Sequence, residues 1–269
     1  MTWLTPTCIA ENVYRISAPI EVIEPDIGIR TVNMYLIVGQ ERAVVIDSGM
    51  GIGDVRAVIR QLTSLPCMVL NTHYHWDHIG ANRLFAERAI HECESGFLTQ
   101  ESDVSFVRQA LQSPAAQAIL PSSFDPVTYR IVPTPATHLL HDHEIIDLEN
   151  HRLRVLHTPG HSPGHVAYFD ESSQILFSGD AAYMGPLCAS FPESDPMAFT
   201  HSVRRLAAMQ HVSMLCPGHN EIITDHNWLR EAADSIDAAV TGKLKGQLHD
   251  SLIPGREFRF ESFSLWLPE

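Results

Sequence analysis

Short apolar runs alternate with polar turns along most of the chain, and this spacing indicates a fold with many short strands. The runs at 33–38 and 43–46 are rich in β-branched residues, and a polar, hairpin-like connection separates them. Residues 19–32 predict a loop or flap. The other elements predicted in the first third are strands at 11–18, 67–71 and 89–91, and helices at 54–62 and 82–88.

The rhythm changes at residues 94–126, where apolar positions come in short helical pieces broken by prolines. We interpret this segment as an inserted lid. The elements predicted after it are strands at 129–132, 144–148, 152–156, 165–169, 174–178, 214–216 and 257–267, and helices at 196–209 and 228–240. Because strands are followed by helices in both halves, we predict an α/β fold with a two-layered sheet core and helices outside. The length of 269 residues fits a single domain, 1–269.

The predicted strand at 67–71 leads into the pattern H-x-H-x-D-H, formed by His73, His75, Asp77 and His78. Imidazole and carboxylate suit zinc and similar divalent ions. The first two histidines can reach one metal from a turn, while Asp77 and His78 can face a second. A solvated loop is the alternative, since the chain has 16 histidines. The order of these residues directly after an apolar strand favours a metal site.

Charge and cysteine usage exclude several other classes of function. The 18 basic and 32 acidic residues give a net charge of −14, which argues against a nucleic-acid-binding surface and against attraction to anionic membranes. The five cysteines are scattered and form no C-x-x-C pair, as in reduced cytosolic proteins. No leader sequence and no run of ~20 apolar residues is evident. We expect a cytoplasmic protein with a small-molecule substrate.

Three later strands each end in small or turn residues that are followed by a histidine or an aspartate. These residues are His161, Asp180 and His219, after the predicted strands at 152–156, 174–178 and 214–216. Small residues let the backbone turn sharply, so that a ligand projects from the sheet edge. One such unit is weak evidence, but three in this order after H-x-H-x-D-H point to one metal site.

With Asp47 after the strand at 43–46, these residues resemble the ordered motifs of the metallo-β-lactamase-fold hydrolases, over about four fifths of the chain. The resemblance implies a four-layered αββα sandwich, with two mixed sheets and helices outside. It also implies two divalent metal ions, zinc by expectation, with manganese and iron as alternatives. The implied ligands are His73, His75 and His161 for the first ion, Asp77, His78 and His219 for the second, and Asp180 as a bridge.

The same resemblance, closest to the glyoxalase-II, lactonase and acyl-thioesterase branches, implies a reaction. A metal-bridging hydroxide attacks an activated acyl bond, a thioester or a lactone, and Asp77 assists proton transfer. Asp47 orients a ligand or its loop by hydrogen bonds, with a simple strand-end cap as the alternative. Tyr183 resembles the tyrosine that faces the substrate carbonyl in acyl-homoserine-lactone lactonases, so it is a candidate oxyanion donor. A structural aromatic at the rim is the alternative for Tyr183.

The substrate pocket is predicted to be formed by the flap, the lid and residues 184–195. Met184 and Phe191 suit an acyl chain or a small hydrophobic group. Trp76 lines the pocket or packs against the adjacent helix. Glyoxalase II proper is disfavoured because only 50 residues follow His219 and carry no matching basic pattern.

Other interpretations stay open at this stage. They are an iron-bound redox or sulfur-metabolism member of the same fold, a β-lactam hydrolase, and a binding protein with a degenerate site. The cluster of His138, His141 and His143 predicts a polar turn before a strand, with adventitious metal binding as its alternative. His165 either starts the next strand or supports the site. A homodimer is compatible with the sequence.

Overall fold

The computed structural model describes residues 3–23, 25, 27–225, 227–249 and 254–269. Glu24 and Asp26 of the predicted flap lie outside the described residues. The chain divides into two compact units: the first unit comprises residues 1–140 and 147–151, and the second unit comprises residues 141–146 and 152–269. That the whole chain acts as a single domain stays a prediction.

A seven-stranded sheet forms the framework of the first unit, with its strands side by side in chain order. They are β1 (Thr5–Ala10), β2 (Val13–Pro19), β3 (Thr31–Val38), β4 (Ala43–Ile46), β5 (Cys67–Leu70), β6 (Arg88–His91) and β7 (His138–Leu140). Neighbours from β1 to β4 are antiparallel, and neighbours from β4 to β7 are parallel. The parallel strands therefore end at one edge, where β4 leads into Asp47 and β5 leads into the H-x-H-x-D-H stretch.

The helices of the first unit are short: α1 (Val55–Leu62), α2 (Trp76–Ile79), α3 (Ser105–Leu111) and α4 (Pro114–Gln117). α1 begins where the Asp54 carboxylate accepts the backbone N–H of Ala57 at 2.9 Å. The predicted helical pieces within 94–126 are confirmed as α3, α4 and short 3₁₀ turns. Val107 and Leu111 are fully buried in the same apolar cluster as Met34 of β3. This segment is thus part of the core of the first unit, and its action as a lid stays a prediction.

Three local predictions for the first unit are wrong. Residues 82–88 form only a 3₁₀ turn before β6 instead of a helix. The buried side chain of Asn82 hydrogen-bonds Ser48 and Asn71, which fixes the chain in a tight turn. Residues 129–132 make one isolated bridge instead of a strand. His138 lies in β7, which pairs with β6, and not in a polar turn.

The described residues of the second unit form two sheets and two helices. Its strands are β8 (Ile145–Asp147, at the boundary of the units), β9 (Arg152–His157), β10 (Val166–Asp170), β11 (Ile175–Gly179), β12 (Pro186–Cys188), β13 (Met214–Pro217), β14 (Gln247–His249), β15 (Gly255–Arg259) and β16 (Ser264–Leu267). One sheet has the order β13-β11-β10-β9-β8, and the other has the order β12-β16-β15-β14. Both contain parallel and antiparallel pairs, so the predicted α/β class with mixed sheets is confirmed.

The helices α5 (Pro196–Ala207) and α6 (Trp228–Val240) occupy the predicted positions. At the start of α5, the Asp195 carboxylate accepts the N–H groups of Met197 and Ala198, and Pro196 takes the first helical position. The single final strand predicted at 257–267 is instead a hairpin of β15 and β16. Sequence reasoning missed β1, β12 and β14. The strands β12 and β14 have only three residues each, and the mostly exposed strand β1 has no buried apolar face to produce an alternating pattern.

The loop after β9 lies directly against α5. Gly160 has a φ of +128°, and a β-carbon placed there would lie 2.1 Å from the backbone nitrogen of Phe199. Only glycine allows this approach. Because Gly160 precedes His161, the contact with α5 constrains the backbone position of that histidine.

We expect Gly160→Ala to lower the free energy of unfolding by ~2 kcal/mol or more, because the added methyl group overlaps the α5 backbone and the positive φ is strained. Urea titration followed by circular dichroism measures this change. Gly96→Ala is the matched control, since no atom lies within 4 Å of the added group there. Equal effects of the two substitutions would contradict the contact.

Candidate metal centre

The four donors of the H-x-H-x-D-H stretch converge where β5 meets α2. His75 is the residue before the helix, and the single turn of α2 carries Asp77 and His78. The ring of His73 lies 4.5 Å from that of His75 and 4.2 Å from that of His78, measured between centroids. His78 Nε2 lies 3.4 Å from Asp77 Oδ2. His73, Asp77 and His78 are buried, whereas His75 is half-buried.

Asp47 anchors this group from the end of β4. Its Oδ1 accepts the backbone N–H of Thr72, and its Oδ2 accepts the Thr72 hydroxyl, both at 2.8 Å. The same Oδ2 lies 2.8 Å from His78 Nδ1. Since the Thr72 hydroxyl donates its proton to Asp47, it accepts from His73 Nδ1 at 2.9 Å. Both imidazoles thus carry their proton on Nδ1 and keep a lone pair on Nε2 for a metal.

Sequence reasoning missed a second polar network beneath α2. The Ser48 hydroxyl donates to Asn82 Oδ1, and Asn82 Nδ2 donates to Asn71 Oδ1, both at 2.8 Å. The amide of Asn71 also donates to the carbonyl of His78 at 3.3 Å. All three side chains are buried. The available signal was the pair of polar residues that directly follows each buried strand, Asp47-Ser48 and Asn71-Thr72.

The second unit brings together His161, Asp180 and His219. They follow β9, β11 and β13, which run in the same direction and so end at one sheet edge. Asp180 Oδ2 lies 3.6 Å from His161 Nε2 and 3.2 Å from His219 Nε2. All three side chains are buried. The pairing of β11 with β13 continues one residue beyond the end of β13, where the N–H of Gly218 donates to the carbonyl of Gly179 at 2.9 Å.

His161 is oriented by a backbone carbonyl. Its Nδ1 lies 2.7 Å from the carbonyl oxygen of Cys188, so Nδ1 is the donor and Nε2 faces Asp180. Burial raises the pKa of the Cys188 thiol to about 11, so this cysteine is a neutral thiol at physiological pH. The ring of Phe191 stands edge-on to His161, with centroids 5.5 Å apart. This predicted pocket residue therefore contacts a predicted ligand.

The other predicted pocket and catalytic residues have defined neighbours. The Tyr183 hydroxyl is buried and donates to the carbonyl of Pro186, and the Tyr183 ring lies 5.2 Å from that of His219. The carbonyl oxygen of the half-buried Met184 accepts a hydrogen bond from Asn220 Nδ2 at 2.7 Å. Trp76, also half-buried, packs edge-on against Phe106 of α3 at 5.8 Å.

An aromatic pair beside the motif was not predicted. The rings of Tyr74 and Phe97 are stacked, with centroids 3.9 Å apart and an interplanar angle of 13°. Tyr74 also contacts His75 edge-on at 4.9 Å. Since Phe97 is 40% exposed, the pair offers an apolar surface next to a candidate ligand.

The chemistry of the donors fits divalent metal ions. The candidate ligand groups among the described residues consist of histidines and aspartates. Such sets suit zinc, iron or manganese, whereas thiolate-rich sets select softer ions. Among the described residues, no helix combines the length and the apolar character needed to cross a membrane.

Comparisons with known proteins identify several relatives of this chain. Acyl-coenzyme A thioesterase MBLAC2 of Gallus gallus is 28% identical over 219 residues, which cover 77% of this chain and 79% of the relative. Hydroxyacylglutathione hydrolase GloC of Haemophilus influenzae is 27% identical over 198 residues, which cover 71% of this chain and 87% of the relative.

A solved structure, the metallo-beta-lactamase family protein TTHA1429 of Thermus thermophilus, aligns with a TM-score of 0.63 and 24% identity, covering 87% of this chain and 82% of that protein. This similarity confirms the predicted fold class. The sequence profile described as the metallo-beta-lactamase superfamily matches residues 27–219. This chain therefore belongs to the metallo-β-lactamase superfamily.

Proposed function

We propose that this protein is a dinuclear metal-dependent hydrolase that cleaves the thioester of a small molecule, with a lactone as the second candidate substrate. The observation that carries the proposal is the position of the Asp180 carboxylate, which lies within 3.6 Å of an imidazole nitrogen of both His161 and His219. The family pattern assigns these two histidines to different metal ions. A carboxylate that reaches both is suited to bridge the pair and to reduce the repulsion between two dications.

The proposed ligand assignment follows the family pattern residue by residue. By that pattern, His73, His75 and His161 would hold the first ion, Asp77, His78 and His219 would hold the second, and Asp180 would serve both. Within the first unit, the donors of the motif converge as such a site requires. We expect zinc, with manganese and iron as the alternatives that elemental analysis distinguishes.

When bound, the two ions supply Lewis acidity toward a carbonyl oxygen and lower the pKa of a water molecule toward ~7. The chain itself supplies orientation. Asp47 accepts a hydrogen bond from His78 Nδ1 directly and fixes His73 through Thr72, as partners of metal-bound histidines do. We assign to the Asp77 carboxylate the acceptance of the water proton and its transfer toward the leaving group.

A thioester is favoured over a lactone by two observations. Both curated relatives compared above are named for thioester substrates, an acyl-coenzyme A and a hydroxyacylglutathione. The Tyr74–Phe97 stack and the half-buried Phe191 offer apolar surfaces beside candidate ligands, which suits the acyl part of such a substrate. The lactone remains the second candidate because Tyr183 stands at the lactonase-like offset from Asp180.

We expect the zinc-loaded protein to show its highest kcat/KM on a thioester. The kcat/KM values to compare are those for acyl-coenzyme A esters, S-acylglutathiones, lactones, β-lactams and phosphodiesters. Release of free thiol measures thioester cleavage directly. A β-lactam or phosphodiester as the best substrate would contradict the proposal. So would one tightly bound iron per chain with oxygen consumption, which would place the protein in redox or sulfur chemistry.

We expect Asp180→Asn and His75→Ala to lower turnover by at least ~100-fold and to reduce the metal content below two ions per chain, because each removes a proposed ligand. Plasma mass spectrometry after dialysis measures the metal, and circular dichroism confirms the fold. His201→Ala, on the exposed face of α5, is the matched control. Wild-type turnover with two ions in either variant would refute the ligand assignment.

We expect Tyr183→Phe to lower kcat by ~10²–10³ with little change in KM if the hydroxyl leaves Pro186 and donates to the oxyanion during the reaction. Its loss also removes the hydrogen bond to Pro186, at a cost of about 1 kcal/mol in stability. Steady-state kinetics and thermal unfolding separate the two effects. A lower melting temperature with unchanged kcat would restrict Tyr183 to a structural role.

A further inference from the structure

His165 is a buried histidine outside the proposed ligand set. It follows the His161 loop and directly precedes β10, and it is fully excluded from solvent. Its Nε2 accepts the backbone N–H of Asp180 at 3.0 Å. Its Nδ1 lies 2.8 Å from the hydroxyl oxygen of Thr158. Both ring nitrogens are therefore engaged with defined partners in the second unit.

These contacts determine the tautomer of His165. A backbone N–H can only donate, so Nε2 must present a lone pair and cannot carry a proton. The neutral ring then has its proton on Nδ1, which donates to the oxygen of Thr158. That hydroxyl directs its own proton to the carbonyl of His165 at 3.4 Å, and the Thr158 N–H donates to the same carbonyl at 2.8 Å. Every donor in this group thus faces an acceptor.

The partner of His165 is the peptide that sets the direction of the Asp180 side chain. Asp180 follows Gly179, which has a φ of +51°, so the chain leaves β11 in a sharp turn. On the far side of that turn, the Ala181 N–H donates to the carbonyl of Ser178 at 3.1 Å, and the Ser178 hydroxyl donates to the carbonyl of Ala182 at 2.7 Å. The N–H of Asp180 itself donates to His165 Nε2.

We propose that His165 is a positioning residue: as the neutral tautomer protonated on Nδ1, it fixes the Asp180 peptide, and through it the carboxylate that lies against His161 and His219. The inference rests on the proposed function through the assignment of Asp180 as a ligand. His165 acts through Asp180 and has no contact with substrate in this role. Removal of its acceptor atom lets the turn relax and moves the carboxylate away from both histidines.

Two substitutions separate the functions of the two ring nitrogens. In His165→Gln, the side-chain amide reaches the place of Nε2 and can accept from Asp180 through its oxygen. In His165→Asn, the amide reaches only the place of Nδ1, so the bond to Thr158 is kept and the acceptor for Asp180 is lost. We expect zinc affinity to fall 10–100-fold in the asparagine variant and to stay within about threefold of wild type in the glutamine variant.

Competition with a chromophoric zinc chelator measures these affinities, and circular dichroism confirms that both variants fold. His201→Asn, at an exposed position of α5, is the matched control. Restored binding in the glutamine variant alone supports the proposal. Wild-type zinc affinity in a folded His165→Asn variant, or an equal loss in both variants, overturns it.

The tautomer gives a test that does not depend on the variants. In the wild-type protein labelled with ¹⁵N-histidine, long-range ¹H–¹⁵N correlation spectra should show His165 protonated on Nδ1 and bare on Nε2, with the signals assigned by their absence in His165→Gln. If both variants fail to fold, assignment by backbone connectivity serves instead. A proton on Nε2 overturns the proposal.

The failure of this inference is distinguishable from the failure of the proposed function. Asp180→Asn that keeps wild-type zinc affinity refutes the ligand assignment, and with it the consequence of His165 for the metal. Asp180→Asn that loses zinc, together with His165→Asn that keeps it, refutes only the positioning role. Loss in both, with recovery in His165→Gln, supports the two together.

Discussion

The buried carboxylate of Asp47 is the constraint on which the candidate ligand cluster of the first unit depends. A carboxylate excluded from water is stable only where donors surround it, and Asp47 has three, two from Thr72 and one from His78, all at 2.8 Å. It holds them from a left-handed conformation with a φ of +59°, which costs about 1–3 kcal/mol for a non-glycine residue. One side chain thereby ties the end of β4 to the end of β5 and to α2.

The same rule of orientation recurs with different partners. The Nδ1–H group of His78 donates a hydrogen bond to a carboxylate, that of His73 to a threonine hydroxyl, and that of His161 to a backbone carbonyl. In each case the hydrogen bond at Nδ1 fixes the ring, and Nε2 is left to bind a metal. His165 has a different role, because its Nε2 accepts a hydrogen bond from a backbone N–H. A histidine's partner at Nδ1 therefore does not reveal by itself whether the ring serves a metal or the backbone.

The strands that carry the candidate ligands were predictable because their signal is local, an apolar run that ends in small residues and then a histidine or an aspartate. The errors have tertiary causes. Residues 82–88 have a helical pattern, but the buried bonds of Asn82 to Ser48 and Asn71 override it. Tyr129 is buried with its hydroxyl on the carbonyl of Met50, a contact between distant positions that no local pattern contains.

The local spacing of the H-x-H-x-D-H stretch has a consequence for metal-linked stability. Ligands that bind only the native state stabilise it in proportion to the logarithm of their concentration over Kd, and any affinity for the unfolded chain reduces that gain. Four donors within six positions stay close together even when the chain is unfolded, so the unfolded state retains metal affinity. The increase in the free energy of unfolding on adding metal should thus be smaller than the value that the native Kd implies. A second consequence is that a nascent chain can bind an ion before β11 and β13 have formed.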